Sequence, residues 1–515
     1  MNNILYRSRQ KEHLDKNVLD YLSSIDIDLN LLYYDIVGSQ AHCLMLNKIG
    51  ILSKSDLGKI LTALHEILNE YPKQYLPSKI SGNSEDIHEF IESLVVDKIG
   101  IETGGKMHTG RSRNDQVMLD VNMKMRDEII LISENLMKLI STIINRAKST
   151  TKTIVPLYTH LQQAQIGTFS HYLLAYCYSL LRDLHRITKS FDSLNNSPLG
   201  ACAIGGTSIP IDRKYTAKIL GFNDLVLNSI DATSSRDTLI EYMSNLTILM
   251  TTLSRMAEDF ILWSTSEFNY IVISDQYSST SSVMPQKKNP DPLEILRSRT
   301  SIIIGNVTSA LSIVNNLPSG YSRDLQEIKP LLWNSSNIAK ESLLIFSGLM
   351  DTFTINSINT LKSADTGYAI ALDIAESMVV QKNIPFRQSH KLVGSLVQYS
   401  VDNNISLKSI EKSAITKILK SLNVNKNISS DYILSLINNI DPSKSIQLRQ
   451  SLGSTNLKQQ KAMISFVENS LKKYKILINN RKNRLEKSYL NLSKLVTKNF
   501  EHKRKTTEKT KEIVD

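Results

Sequence analysis

The stretch Met125-Arg-Asp-Glu-Ile-Ile-Leu-Ile-Ser-Glu-Asn-Leu-Met-Lys-Leu-Ile-Ser-Thr-Ile143 decides the fold class. Met125, Ile129, Ile132, Leu136, Leu139 and Ile143 recur at spacings of three and four, which puts one apolar stripe along an α-helix. Leu239, Tyr242, Leu246, Leu249, Leu253, Met256 and Phe260 repeat the pattern, and the segments around 164–192, 293–316 and 331–355 also predict long helices. Helices of this length must bury their stripes against one another. The chain is therefore predicted to be mainly α, with a central bundle.

Composition agrees. Only 19 Gly and 12 Pro in 515 residues favour long helices over turn-rich β structure, and the length suggests two to four domains. Residues 1–112 mix short helical patterns with loop-like stretches such as Lys79-Ile-Ser-Gly-Asn-Ser84, and predict an N-terminal domain. The bundle occupies 113–360. The pattern shortens around Leu361–Tyr368, and a smaller helical unit follows over 361–455.

The remainder, 456–515, holds 16 Lys/Arg against 6 Asp/Glu, while residues 1–455 are nearly balanced at 45 against 44. Of the net charge of +11, +10 thus belongs to a tail. Ile464, Leu471, Ile478, Leu485 and Leu492 recur there every seventh residue. A second seam of Val467, Tyr474 and Leu495 is broken by Arg481 and Ser488. This predicts one long basic helix of weak coiled-coil character, fraying over His502–Lys511. Contact with nucleic acid or a membrane surface is one reading of the tail. Its sparse aromatics, Phe466, Tyr474, Tyr489 and Phe500, favour a solvated helix extending the C-terminal unit. Cys43, Cys177 and Cys202 form neither a metal spacing nor a disulfide framework, so a reducing cytoplasm is expected. The start, MNNILYRSRQKEHLD, lacks the apolar run of a signal peptide, and no segment is apolar enough to span a membrane.

Three segments carry chemistry. Ser278-Ser-Thr-Ser-Ser-Val-Met-Pro-Gln-Lys-Lys-Asn-Pro-Asp291 offers small hydroxylated residues, two lysines and an asparagine between prolines. Such a loop could close over a small anion and expel water, although a plain solvated loop has the same composition. Gly104-Gly-Lys-Met-His-Thr-Gly-Arg-Ser-Arg-Asn-Asp-Gln-Val117 sets Arg111, Arg113 and Asn114 before a long helix, where N–H groups and the macrodipole favour anions. Arginine forks suit carboxylates. In Tyr158-Thr-His-Leu-Gln-Gln-Ala-Gln165, His160 precedes the expected helix start, a place where a lone histidine is more often structural.

Taken together, these motifs resemble one family. SSxMPxKxN is similar to the signature loop of the fumarase/aspartase superfamily. MPQKKNPD and HTGRSRNDQV resemble its argininosuccinate lyase branch, as do Glu85-Asp-Ile-His88 and Tyr321-Ser-Arg-Asp-Leu-Gln-Glu-Ile-Lys329. The resemblance covers roughly residues 20–455, and the basic extension has no counterpart in typical members. Thr280 stands where members usually carry Gly, which stiffens the loop without removing a reacting group.

The resemblance implies a fumarase/aspartase-like fold: a central long-helix bundle flanked by two smaller helical domains. It implies reversible β-elimination of argininosuccinate to arginine and fumarate, without cofactor or metal. By position Ser281 becomes the catalytic serine, with Lys287 beside it, and His160 pairs with Glu294. Ser24, His88, Arg113, Asn114, Thr159, Asn289, Tyr321, Gln326 and Lys329 become substrate-binding residues. Whether His160 protonates the leaving nitrogen or organises substrate stays open. The family implies a homotetramer whose sites draw on three subunits. Another fumarate-releasing lyase, such as adenylosuccinate lyase or fumarase, and a catalytically inactive relative are the competing readings.

Overall fold

The computed structural model describes residues 15–71, 84–422 and 428–511. The N-terminal residues 1–14 and most of the loop-like stretch, 79–83, lie outside them. The main helices are α1 (Leu32–Lys48), α2 (Lys54–Glu70), α3 (Ile87–Ile99), α4 (Arg113–Ser149), α5 (Phe169–Leu194), α6 (Asp237–Trp263), α7 (Asp291–Asn315) and α8 (Ile328–Thr352). The helix α4 runs 37 residues because nothing in it breaks a helix and both ends are satisfied. Ser112 and Asp115 form a reciprocal capping box, and Arg146 and Lys148 meet the negative end of the dipole. All six residues of the quoted stripe, Met125 to Ile143, are buried.

The five helices α4–α8 form the bundle. Its apolar core is continuous with the side chains of α1, α2 and α3, so no break in packing marks the boundary expected at residue 112. A second, separate core holds buried residues from Ala364 to Ile446 together with Ile166 of the segment before α5. The long C-terminal helix, Leu457–Lys511, packs on the bundle core. Ile464, Val467, Ile478, Leu485, Leu492 and Val496 are buried against α2, α4 and α5. Several of its basic groups are spent on the body: Arg481 donates to the Thr188 carbonyl at 2.6 Å, Arg484 to the Phe222 carbonyl at 3.0 Å, and Lys482 pairs with Glu134 at 2.8 Å. The tail thus lies along the bundle rather than extending the C-terminal unit.

One expectation is corrected at the start of α5. The helix begins at Phe169, not near 164, because a hairpin precedes it. Strands β1 (Ile154–Thr159) and β2 (Gln162–Thr168) pair antiparallel, with His160 and Leu161 as the two-residue turn. Both turn residues have positive φ, 54° and 57°. A two-residue turn with two left-handed residues normally takes Asn-Gly, so His-Leu carries no hairpin signal.

The bundle has two functional ends. The helix α4 carries Arg113 at one end. At the other, Arg146 donates to the Phe353 carbonyl just after α8, at 2.6 Å. At about 1.5 Å per residue the 37 residues of α4 span about 55 Å, and the 25 of α7 about 37 Å. Part of α7 and α8 stays bare: Ile295, Ile302, Leu311 and Leu344 are about half exposed. Among the described residues no helix is long and apolar enough to cross a membrane.

Candidate active site

At the Arg113 end, residues far apart in sequence converge. Ser24 is buried and donates to Asp28 Oδ2 at 2.6 Å, one helical turn on. Lys329, at the start of α8, reaches the same pair: it forms an ion pair with Asp28 and lies 3.4 Å from Ser24 Oγ. Gln326 donates to the Leu22 carbonyl at 3.2 Å, holding the chain before Ser24 against the α7–α8 connection. Tyr321, Gln326 and Lys329 line a crevice with Arg236, Val117 and Met118.

Asp86 caps α3 by accepting from the Glu89 amide at 2.8 Å. Its other oxygen takes the Arg113 guanidinium at 3.0 Å. Burial alone would raise the Asp86 carboxyl, but the His88 and Arg113 charges hold it below its ordinary value. Arg323 pairs with Glu85 at 2.7 Å. Asn114 donates to the Ala203 carbonyl at 3.0 Å, and Asp115 accepts the Gly200 and Cys202 amides at 2.8 Å each. These bonds staple the 200–206 loop to the head of α4. Gly200 has φ 88°, and a Cβ there would fall 2.6 Å from Arg213 Cγ. Burial lowers the Arg236 guanidinium to about 10, with the Tyr321 hydroxyl nearby opposing the fall.

His88 sits on the buried side of this cluster. Its Nδ1 lies 2.5 Å from Asp35 Oδ2 and 3.6 Å from Asp120 Oδ2. The donor atoms of Asp35, His88 and Asp120 fall within 4.8 Å of one another, as a metal site would require. The His88–Asp35 separation argues for a direct hydrogen bond instead. Two ligands at about 2.1 Å from one ion in tetrahedral geometry stand well over 3 Å apart.

The opposite end carries the signature loop. Strands β3 (Ser279–Thr280) and β4 (Lys288–Asn289) pair as a two-rung hairpin, with Ser281 N bonded to the Lys287 carbonyl at 3.3 Å. Lys288 anchors it to the Ile273 carbonyl and to Asp275, at 2.7 Å from the latter. Ser281 Oγ accepts the Val283 amide at 3.2 Å and the Met284 amide at 3.0 Å. Two N–H donors on one hydroxyl oxygen favour its deprotonated form. Lys287 is exposed and makes no ion pair among the described residues. Glu294 is exposed in the first turn of α7. Thr159 and His160 project on the exposed hairpin tip, which is braced by Tyr158–Tyr270 at 2.7 Å, Tyr270–Ser363 at 2.5 Å and Gln163–Ser363 at 2.7 Å.

Within one chain, then, Ser24, His88, Arg113, Tyr321, Gln326 and Lys329 are brought together, with Asn114 beside them. Ser281, Lys287, Asn289, Glu294, Thr159 and His160 lie at the other end. No hydrogen bond joins His160 to Glu294 among the described residues. Two carboxylates were missed by sequence reasoning, Asp28 and Asp86. A signal existed for both: Asp28 is one helical turn after Ser24, and Asp86 lies inside the EDIH segment.

Residues 9–305 match the lyase family profile, and residues 368–441 match the argininosuccinate lyase C-terminal profile. An argininosuccinate lyase of Nitrosopumilus maritimus is 48% identical over 96% of this chain and 99% of its own length. The chain belongs to the argininosuccinate lyase family. An argininosuccinate lyase of Bacillus cereus is 38% identical over 92% of this chain and 97% of its own. The Nitrosopumilus match spans 492 residues of this chain, so it reaches into 456–515. Among solved structures, an EDDS lyase in complex with formate superposes with a TM-score of 0.83 at 27% identity, over 95% of both chains. A class II fumarase from Schistosoma mansoni, 16% identical, shares the fold with a TM-score of 0.69 over 83% of this chain and 94% of its own. The family thus supplies the mainly helical, fumarase/aspartase-type fold seen here.

Proposed function

We propose that the protein cleaves argininosuccinate reversibly to L-arginine and fumarate, as a step of arginine biosynthesis, and works as a homotetramer in the cytoplasm. The observation that carries the reading is the mixed-charge crevice at the Arg113 end. Asp28 and Asp86 beside it offer carboxylates to a guanidinium, with Lys329, Arg113 and the half-buried Tyr321 close by. A substrate with one guanidinium and three carboxylates meets both signs.

In this reading Ser281, deprotonated under the Val283 and Met284 amides, takes the proton from the succinyl carbon next to a carboxylate. The resulting aci-carboxylate carries two negative charges, met by Lys287, Asn289 and loop N–H groups. Each such donor supplies roughly 3–4 kcal/mol. The C–N bond then breaks, its electron pair stays on the guanidino nitrogen, and fumarate is left. His160, positioned by Glu294, either protonates that nitrogen or orders substrate; both assign it to the leaving-group side. Thr159 binds substrate beside it.

Loop and crevice belong to opposite ends of one bundle, so a complete site draws on different subunits packed side by side and antiparallel. The bare apolar faces of α7 and α8 support such packing. The three unpaired cysteines suit a reducing compartment. A fumarate-absorbance assay with argininosuccinate, run beside adenylosuccinate and malate and with Ser281→Ala as control, tests the activity. Fumarate release from adenylosuccinate alone, or undiminished activity in the variant, would overturn it.

A further inference from the structure

The helix α1 is buried almost all round, and Asp35, Ser39 and His42 go into the interior with its leucines. A carboxylate so placed is costly unless charge and hydrogen bonds compensate it. Asp35 is fully compensated. Its Oδ2 accepts His88 at 2.5 Å and the Gln116 amide at 2.6 Å, and its Oδ1 lies 3.4 Å from Ser39, which in turn accepts Arg111 at 2.9 Å. The other edge of the His88 ring differs. Its Nε2 is buried and has no partner among the described residues. An N–H buried without an acceptor is normally avoided, and a bound ligand oxygen is the group that would satisfy it.

We propose that Asp35, held by Gln116, is a positioning residue that fixes His88 as a charged donor whose Nε2–H receives a carboxylate of the bound substrate. This rests on the lyase reading above and adds a residue that none of the recognised motifs contains. The groups facing His88 are Asp35 from α1, Asp120 from α4, Asp86 from the turn before α3, and Asp28 beyond it. Burial works against the imidazolium. The Asp35 hydrogen bond and charge, with help from Asp86 and Asp28, outweigh it and raise His88 above its ordinary value. Asp120 is pushed well up by burial and by the neighbouring Asp35 charge, so of the two carboxylates it supports the imidazolium less. Removing the Asp35 charge and hydrogen bond takes away the largest supports of the imidazolium, so His88 gives up its proton at lower pH than in the wild type.

The test is the pH profile of Asp35→Asn. At pH 8 its kcat/KM for argininosuccinate should fall about ten- to hundredfold, the loss of one charge-assisted hydrogen bond. The deficit should lie mainly in KM and shrink as pH is lowered and the imidazole recovers its proton. A merely structural role would leave a deficit independent of pH, and that result overturns the proposal. Gln116→Met guards against misfolding of the first variant. It leaves the carboxylate and removes one donor from it, so Asp35 binds the imidazolium proton more strongly and the alkaline limb moves up. A downward shift would contradict the proposal. Fumarate affinity by calorimetry, in the wild type and both variants, gives the same comparison without turnover. A wild type that leaves argininosuccinate intact discredits the lyase reading; an active wild type beside a pH-independent Asp35→Asn deficit discredits only the role of Asp35.

Discussion

Ser281 and Lys329 stand at opposite ends of the α7–α8 pair. Ser281 lies in the hairpin that leads into α7, and Lys329 lies in the first turn of α8, so the length of α7, about 37 Å, separates them. No loop closure spans that gap. Two chains packed side by side and antiparallel do, provided that the loop of one meets the crevice of another.

Mixing two inactive chains should therefore restore activity. Ser281→Ala spoils the loop and Lys329→Met the crevice, but in a hybrid some sites combine an intact loop with an intact crevice. Random association should return about a quarter of wild-type activity when each site takes these two parts from different chains. Co-expression with two affinity tags, followed by the fumarate assay on the doubly purified hybrid, measures it. No recovery at all would mean that each chain builds its own site.

The oxygen of Ser281 is held by two amides, and one of them can be removed without touching a side chain that reacts. Val283→Pro deletes the N–H that lies 3.2 Å away. Residue 283 is 83% exposed, so the fold should be indifferent. Loss of one such donor typically lowers kcat by about 10²–10³-fold. An unchanged kcat with normal melting would remove the amides from the mechanism.

Leu161 is 76% exposed with a left-handed backbone, a combination that neither packing nor propensity favours. It follows His160 in the tight turn, and the strain is tolerated because Tyr158, Tyr270, Gln163 and Ser363 brace the strands. Leu161→Gly should relieve about 1 kcal/mol of that strain and return part of it as chain entropy, so melting should barely move. The same freedom loosens His160, and kcat should fall about tenfold with little change in KM. A rise or no change in kcat would separate the turn from catalysis.

Periodicity made the helices legible, because a stripe such as Met125 to Ile143 is a local pattern. It showed the C-terminal seam too, through Ile464, Ile478, Leu485 and Leu492. What covers a stripe is not a local property, and nothing near Ile478 says that α4 and α5 lie over it. The site divides the same way. Short motifs named most of its residues, yet Ser24 and Lys329 meet across 305 positions, and the Asp28 carboxylate between them becomes visible only once both are in place. The hairpin under His160 was invisible because its turn residues are His and Leu instead of Asn and Gly.

Because the seam is covered, the C-terminal helix contributes to folding. Ile478→Ala, at a site 1% exposed, should cost about 2–4 kcal/mol. Truncation before Leu457 would bare that whole seam and give aggregated protein. Urea unfolding of the point variant, and the soluble yield of the truncated chain, check both. A soluble, fully stable truncation would make the tail an appendage.

Acid should weaken the fold through His42. This side chain is buried on α1, with Nε2 2.8 Å from the Thr109 carbonyl, just before the arginines that open α4. Burial, reinforced by the nearby Arg111 charge, depresses it to about 3, whereas in the unfolded chain it titrates near 6.5. The sign follows. Below pH 6.5 the unfolded chain takes up a proton that the native state refuses, so stability falls by about 1.4 kcal/mol per pH unit until the native group titrates. His42→Gln keeps a donor for Thr109 and has nothing to titrate. Its stability should depend less steeply on pH between 6.5 and 4 than that of the wild type, by the equivalent of one proton. His88, raised in the native state, works the other way: its contribution is present in acid and fades as pH rises through its native value, so it cannot produce this loss. Parallel urea-derived curves for the two proteins would show that His42 is not the group responsible.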